Sequence, residues 1–275
     1  MVDLTRCSGI PPPPMNILRS SAIIVLSAGF SLAAPGDLDK GLNATGRLAV
    51  AFGQFSEANA LAVAPDGGIL AAGQTITPRG HDTAVVKITP RGLLDTSFSG
   101  DGGVVTNAGT GLDGDPVDDS GHAMVVQPDG KILVAGQNGY YFTIIRYNKD
   151  GSLDTFFGDL GIQRMYGFAG TRATGIVVQP DGSIVVTGWL ISGGSGFIAR
   201  FTSSGHPDPG FVGGSYVSFL DLPAGSRGSA IALQSDGRIL VAGRAGFLNE
   251  EDFLVIRFKK DGTRDPSFGP DGIRT

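Results

Sequence analysis

The stretch MVVQPDGKILVAG, residues 124–136, decides the fold, because the chain writes nearly the same phrase three more times. It returns as LAVAPDGGILAAG at 61–73, IVVQPDGSIVVTG at 176–188 and IALQSDGRILVAG at 231–243. Each copy is an apolar arm, an Asp-Gly pair and a second apolar arm, which is the pattern of a β-hairpin. Asp-Gly predicts a two-residue type I′ turn, whose central residues both need positive φ; glycine adopts it freely and aspartate tolerates it better than most. The turn accounts for Asp66, Asp129, Asp181 and Asp236 without any bound ion. The arms are apolar almost without interruption, as in Ile132 to Ala135 and Ile184 to Val186, so strands covered on both faces are expected.

A second phrase follows every hairpin: VVKITPRGLLDTSF (85–98), IIRYNKDGSLDTFF (144–157), IARFTSSGHPDPGF (198–211) and VIRFKKDGTRDPSF (255–268). Each starts as a strand and ends as a linker. The hairpin aspartates lie 63, 52 and 55 residues apart. The linker aspartates Asp95, Asp154, Asp208 and Asp265 step by 59, 54 and 57, and an unpaired linker copy, GDLDKGL at 36–42, sets Asp39 another 56 residues earlier. A period in the fifties with several strands per unit marks a repeat array.

The second unit yields four strands, at Gly103–Asn107, Ala123–Gln127, Lys131–Gly136 and Tyr141–Tyr147. Four strands make one propeller blade, and a sheet that thin must bury its faces against its neighbours. The expected fold is all-β: a β-propeller of about four four-stranded antiparallel blades, as a closed ring or an open arc. Its units run approximately over 46–92, 102–151, 161–205 and 213–262 within a repeat domain at 35–275. The chain opens on a linker copy and closes on GIRT, the start of a fifth unit, so ring closure, an open arc and completion by another copy all remain open. Open ends would present unpaired strand edges, which invite self-association.

These phrases resemble the delta-60 repeat proteins of bacteria, whose unit of roughly sixty residues carries a QPDGKILVAG hairpin and a VRYNxDGSLDxxFG linker. QPDGKILVAG stands verbatim at 127–136, IRYNKDGSLDTFFG stands at 145–158, and the likeness covers the chain from Gly36 onward. The first unit departs with Lys87-Ile88 in place of Arg-Tyr, and the third with Gly205-His206-Pro207-Asp208. The resemblance implies an exported, β-propeller-like protein and brings no established reaction with it.

The N-terminus reads as an export signal at 1–34. Arg19 precedes an apolar run from Ala22 to Phe30, which ends in the small-residue segment Ser31-Leu32-Ala33-Ala34. Met15, directly after four prolines, marks an alternative start. The run is far shorter than the roughly 20 apolar residues a membrane span needs, so no stable membrane insertion is expected. The mature chain is placed in the periplasm, at the cell surface or outside the cell. Cys7 is the only cysteine and lies before the cut, leaving no disulfide or thiolate site.

Glycine is the outlier of the composition, at 44 of 275 residues, as a turn-dense β protein requires. With 17% charged residues and a net charge of −5, no basic stripe exists to replace the counterions of a nucleic acid. Losing Asp3, Arg6 and Arg19 with the signal leaves the mature chain at about −6.

One recurring pair stands out. Lys87, Arg146, Arg200 and Arg257 each lie eight residues before a linker aspartate, and a carboxylate there can take the guanidinium fork. An architectural strand-to-linker contact is favoured over a charged ring around a pore. In a four-stranded meander the Asp-Gly turns and the linkers share one face, while the variable loops share the other. Those loops are GQFSEAN (53–59), GTGLDGDPVDDSG (109–121), WLISGGSG (189–196) and AGFLNEED (245–252), and variable loops on a rigid scaffold are where specificity lives.

Asp113, Asp115, Asp118 and Asp119 offer oxygen ligands of the kind calcium takes, without the spaced EF-hand pattern; a solvated acidic loop is the favoured reading. Trp189 and the Tyr140-Tyr141 pair could stack on a sugar or peptide, against the plainer alternative of packing. His81, His122 and His206 are assigned to a variable loop, a strand start and a linker. No nucleophile elbow, phosphate loop or HExxH is present. No catalytic, cofactor or metal residue is therefore assigned. The expected function is an exported, non-catalytic scaffold that binds a protein or glycan through its variable loops. The alternatives are a propeller hydrolase or lyase with axial carboxylates, and a structural spacer from a larger array.

Overall fold

The Asp-Gly hairpins do not take the two-residue turn expected above; the residue before each Asp-Gly, proline in three copies and Ser235 in the fourth, holds the first central position of a longer turn, a place that suits proline's φ near −65°. In the computed structural model Gly67, Gly130, Gly182 and Gly237 have φ of 79, 85, 87 and 82°, and none of the preceding aspartates is in the positive-φ region. Gly67 N–H donates to Ala64 O at 2.9 Å and Ala64 N–H to Gly68 O at 2.8 Å. The loop is thus a type I turn followed by a left-handed glycine. Each aspartate accepts the amide two residues on, from Gly68, Lys131, Ser183 and Arg238, at 2.9 to 3.1 Å.

The structure describes residues 37–275 except 51, 111–113, 166–169, 191–193, 213, 215, 220, 247–250 and 275. The export-signal reading, Cys7, Met15 and Asp113 lie outside the described residues. Residues 39–275 make one unit and Met1–Leu38 another.

Sixteen strands build four antiparallel sheets among the described residues. The first holds β1 (Gln54–Val63), β2 (Ile69–Thr77), β3 (Gly80–Ile88) and β4 (Gly103–Thr106). The second holds β5 (Asp119–Val126), β6 (Ile132–Asn138), β7 (Tyr141–Tyr147) and β8 (Ile162–Arg164). The third holds β9 (Thr171–Val178), β10 (Ile184–Leu190), β11 (Gly196–Phe201) and β12 (Tyr216–Ser218). The fourth holds β13 (Arg227–Leu233), β14 (Ile239–Ala245), β15 (Asp252–Phe258) and β16 (Ile273–Arg274). A single 3-10 turn at Pro270–Gly272 is the one helical element among the described residues. No helix there is long and apolar enough to cross a membrane.

This is the expected all-β, propeller-type fold of four four-stranded antiparallel blades, with one correction to the frame. Gly103–Thr106 pairs with β3, not with the strand after it, so every sheet closes one strand later than the sequence units. The linker supplies the reason. Arg146 N–H donates to Gly161 O and Asp154 N–H to Arg146 O, both at 2.9 Å, which folds the chain back against β7 and delivers β8 to the same sheet. Moving the frame by one strand leaves the Asp-Gly turns and linkers together on one face and the remaining loops on the other.

Neighbouring sheets meet chiefly through their first strands, β1 on β5, β5 on β9 and β9 on β13, so the blades fan about a hub lined by those strands. Among the described residues the contacts run first to second to third to fourth and do not return to the first at comparable strength. The unit is an open arc.

The core is three seams. Ile132 and Val134 join Leu70, Val85 and Phe98 between the first two blades. Leu133 and Ala135, one residue out of phase, join Ile184, Val186 and Phe201 in the next seam. Val185 and Ile198 then meet Ile239, Val241 and Phe258 in the third. Alternate residues of one strand bury in opposite seams, which is why the arms are apolar without interruption.

Each seam is pinned by the linker that crosses it. Phe98, Phe157 and Phe211 are at most 2% exposed, and each inserts where the next blade has a glycine, Gly151, Gly205 and Gly262. The residue after each phenylalanine donates its amide to that next blade: Ser99 to Asp150 O, Gly158 to Ser204 O and Val212 to Asp261 O, at 2.7 to 2.8 Å. The unpaired linker copy does the same for the first blade, with Leu42 against Gly92 and Asn43 N–H on Arg91 O at 3.2 Å.

Candidate functional site: the hub and the loop face

The strand-to-linker pair is built as expected. Nε of Arg146, Arg200 and Arg257 lies 2.8, 2.8 and 2.9 Å from Oδ2 of Asp154, Asp208 and Asp265. Lys87 Nζ lies 3.0 Å from Asp95. The same guanidinium stacks over the seam phenylalanine, at 4.4 Å for Arg146 on Phe157 and 4.9 Å for Arg200 on Phe211. It also donates to the following blade, Arg146 to Ser203 O at 2.5 Å and Arg200 to Lys260 O at 2.7 Å. These pairs bind blade to blade; they do not line a pore.

The hub carries a feature that no sequence pattern announced. Each first strand has a β-bulge at the same repeat position, placing Asn59, His122, Thr174 and Ser229 out of the ladder. A bulge re-aims its extra residue, and here three of the four reach the next blade. Asn59 Nδ2 donates to Gly121 O at 3.1 Å, and Thr174 Oγ1 to Gly228 O at 2.7 Å. His122 Nε2 accepts from Arg172 Nε at 2.9 Å. Arginine can only donate, so His122 carries its proton on Nδ1. Burial, reinforced by the Arg172 charge, lowers the His122 pKa to about 4.

On the loop face, between the first two blades, Asp119 is fully buried and accepts the Ala108 amide at 2.5 Å. Burial raises its carboxyl to about 7, and the nearby Asp82 adds to the rise against the pull of that amide. Asp82 itself holds Asn107 Nδ2 at 2.7 Å and Thr77 Oγ1 at 2.8 Å. Asp118, one residue before, turns the other way and takes both the backbone and the ring of His81, at 2.9 and 3.0 Å. Asp115 is exposed. The acidic run is therefore not gathered to one point, and no group of three metal-binding side chains forms among the described residues.

Two more expectations change. GQFSEAN belongs largely to β1, and His81 belongs to β3. His206 does sit in a linker, where its backbone amide donates to Thr202 Oγ1. The three histidines thus have separate partners. Between the third and fourth blades, Arg227 stacks 3.8 Å over the Trp189 ring, opposite Arg244 in the β13–β14 ladder. Burial and then the Arg244 charge hold Arg227 below the ordinary guanidinium value, and Arg244 pairs with Glu251. Tyr140 is about half exposed, while Tyr141 is buried.

The perturbed groups, Asp119 and His122, are enclosed in structural networks. On the turn face, a cavity of about 590 Å³ opens between equivalent residues of three blades, Gln127, Gln179 and Gln234 with Val126, Val178 and Leu233. The loop face, by contrast, presents a different polar set in every blade.

The family described as "Domain of unknown function (DUF5122) beta-propeller" matches residues 127–157, 179–211 and 234–268, each an Asp-Gly hairpin with its linker. No curated protein matches the chain. Among solved structures it is similar to a streptogramin B lyase, with 14% identity over 75% of this chain and 56% of that one, TM-score 0.38. It is also similar to Drosophila plexin A, solved with semaphorin 1b, with 12% identity over 76% and 41%, TM-score 0.43. A third is regucalcin, a calcium-binding protein from Agrobacterium tumefaciens, with 13% identity over 74% and 57%, TM-score 0.36. The chain spans about half the length of these proteins. The sheets and the family model together describe a chain similar to repeat-built β-propellers.

Proposed function

We propose that this chain is an exported, non-catalytic propeller-type scaffold that binds a glycan or protein through the loop face. One observation carries the reading: the two faces are built by different rules. The turn face repeats one Asp-Gly turn and one basic residue–aspartate linker pair in each blade, so it offers nearly the same chemistry everywhere. The loop face holds the part-exposed Trp189–Arg227 stack, the Arg244–Glu251 pair, Tyr140 and the His81–Asp118 pair, each occurring once among the described residues and not repeated from blade to blade. Aromatic rings beside charged groups suit sugar stacking and peptide contact.

A glycan array with the chain, followed by titration of any retained oligosaccharide, tests this. Tyr140→Ala and Trp189→Ala are expected to weaken binding about tenfold or more, while Lys149→Ala on the turn face leaves it unchanged. Cleavage of the bound glycan, or binding that tracks the turn-face variant, refutes the reading.

A further inference from the structure

The two ends of the arc are the two halves of a seam. The repeat shows what each half looks like when it is filled. In the second blade, Leu133, Ala135, Phe142 and Ile144 bury against the third blade at 0 to 2% exposure. Their counterparts in the fourth blade are Leu240, Ala242, Phe253 and Val255; Phe253 is 89% exposed and Ala242 is exposed.

Polar locks repeat the pattern. Arg146 and Arg200 reach carbonyls of a following blade, whereas Arg257 turns back to Ser267 Oγ at 2.8 Å. Phe268 is part-exposed where its three counterparts are buried, and the bulged Ser229 is exposed.

At the other end, Leu61 and Val63 are both 71% exposed. Their counterparts Met124 and Val126 pack into the first seam. Leu48, Val50 and Phe52 stand along the outer part of this face and enclose a cavity of about 250 Å³ over Ala71, Ala84 and Val86. They follow the linker copy directly, so residues 39–50 and 52 stand in the place of a preceding blade's linker and last strand. Among the described residues, no strand stands where that blade's first three would pack.

We propose that two copies of this chain complete each other, the fourth blade of one packing on the first blade of its partner, twice. The occupant is argued from the three seams inside the chain, whose residues the end faces reproduce position by position. Two arcs of four make eight blades, within the range of closed propellers, and two head-to-tail contacts close on a two-fold axis. Residues 39–50 and 52 of the docking copy are the same element as residues 265–274 of the receiving one. The two-residue β16 therefore yields, and β15 pairs with the incoming strand.

Sedimentation and light scattering of the chain across the micromolar range test it, with twice the chain mass expected at the upper end. Phe253→Asp and Leu61→Asp, on opposite end faces, are each expected to weaken association at least about tenfold. Both side chains are exposed, so the melt of the dilute monomer stays unchanged. Mixing the two variants restores one intact seam and recovers dimer, which a face-to-face contact of identical surfaces would not do. Removal of residues 270–275 preserves or tightens association. A chain that stays monomeric, species beyond two copies, mixed variants that do not recover, or loss of association on that removal would overturn the proposal.

Discussion

Phe157→Ala is the sharpest test of where the stability resides. The ring is fully buried in the second seam, a Cβ built on Gly205 would lie 2.7 Å from it, and Arg146 stacks on it at 4.4 Å. Truncating a buried phenylalanine costs about 3–5 kcal/mol through lost transfer and the cavity left behind, and the lost cation–π contact adds about 1 kcal/mol. Against a usual total of about 5–15 kcal/mol, that is about a quarter or more of the fold. At about 2–4 °C per kcal/mol for a unit of this size, the melt drops by about 10 °C or more. Phe268→Ala is the internal control: the same residue in the same linker context, under its own arginine at 4.7 Å but part-exposed, and expected to cost about 1–2 kcal/mol. The assay is thermal and urea unfolding of both variants followed by far-UV circular dichroism. Equal losses for Phe157 and Phe268 would refute the argument, because the phenylalanine would then be acting within its own blade.

Asp154→Ala leaves the Arg146 guanidinium buried without its carboxylate, an expected loss of about 3–5 kcal/mol measurable by urea midpoint, with Arg146→Met, Asp154→Leu together losing less. Burial alone would raise the Asp154 carboxyl, but Lys131, the Phe156 amide and Arg146 overcome it and hold it below its ordinary value. This stabilisation is present above the unfolded pKa near 3.9 and fades as pH falls through the lower folded value. Asp119 and His122 oppose each other in the mildly acidic range. Raised to about 7, Asp119 makes the fold less stable as pH climbs from about 4 to 7, while His122, lowered to about 4, makes it more stable from about 4 to 6.5. Asp119→Asn is therefore expected to leave a melting temperature that rises with pH across this window, and His122→Gln one that falls. Parallel profiles for the two variants would refute the assignment.

The hairpins and the Arg–Asp spacing were legible because the chain states them four times, and a pair recurring at a fixed distance needs no structure to be noticed. The frame was not legible. Gly103–Thr106 is a short apolar strand, and nothing in GVVT says whether it pairs backward or forward; the hydrogen bonds of the linker decide that. Turn type differs from the expectation at Asp-Gly because the residue before it, Pro65, Pro128, Pro180 or Ser235, joins the turn as its first central residue, which the dipeptide alone does not show. The bulges at Asn59, His122, Thr174 and Ser229 exist only relative to a partner strand, so residue identity could not reveal them. Asp119 sits in a run of acids that hydropathy places in water, yet it opens β5 and is carried into the seam with it. Among the candidate loop residues, Trp189 and Tyr140 were placed on the correct face, while the arginine stacked on Trp189 comes from the next blade, 38 residues on.

The seam explains how one chain can hold a conserved frame and divergent loops together. The phenylalanine, its amide neighbour and the Arg–Asp pair all lie at the linker side of the sheets, so each blade is fixed to the next without using the loop face. Substitutions among the connections that follow β2, β6, β10 and β14 therefore change what the protein presents without loosening how its blades are joined. The hub bulges show the limit of that freedom. His122 and Arg172 bind neighbouring blades from the loop side of the first strands, so a loop that drew Arg172 away would cost the half-buried His122 ring its hydrogen bond, about 1 kcal/mol. Diversity on this face is thus cheapest in the connections themselves and dearest at the starts of the first strands, where Arg172 stands two residues before the bulged Thr174.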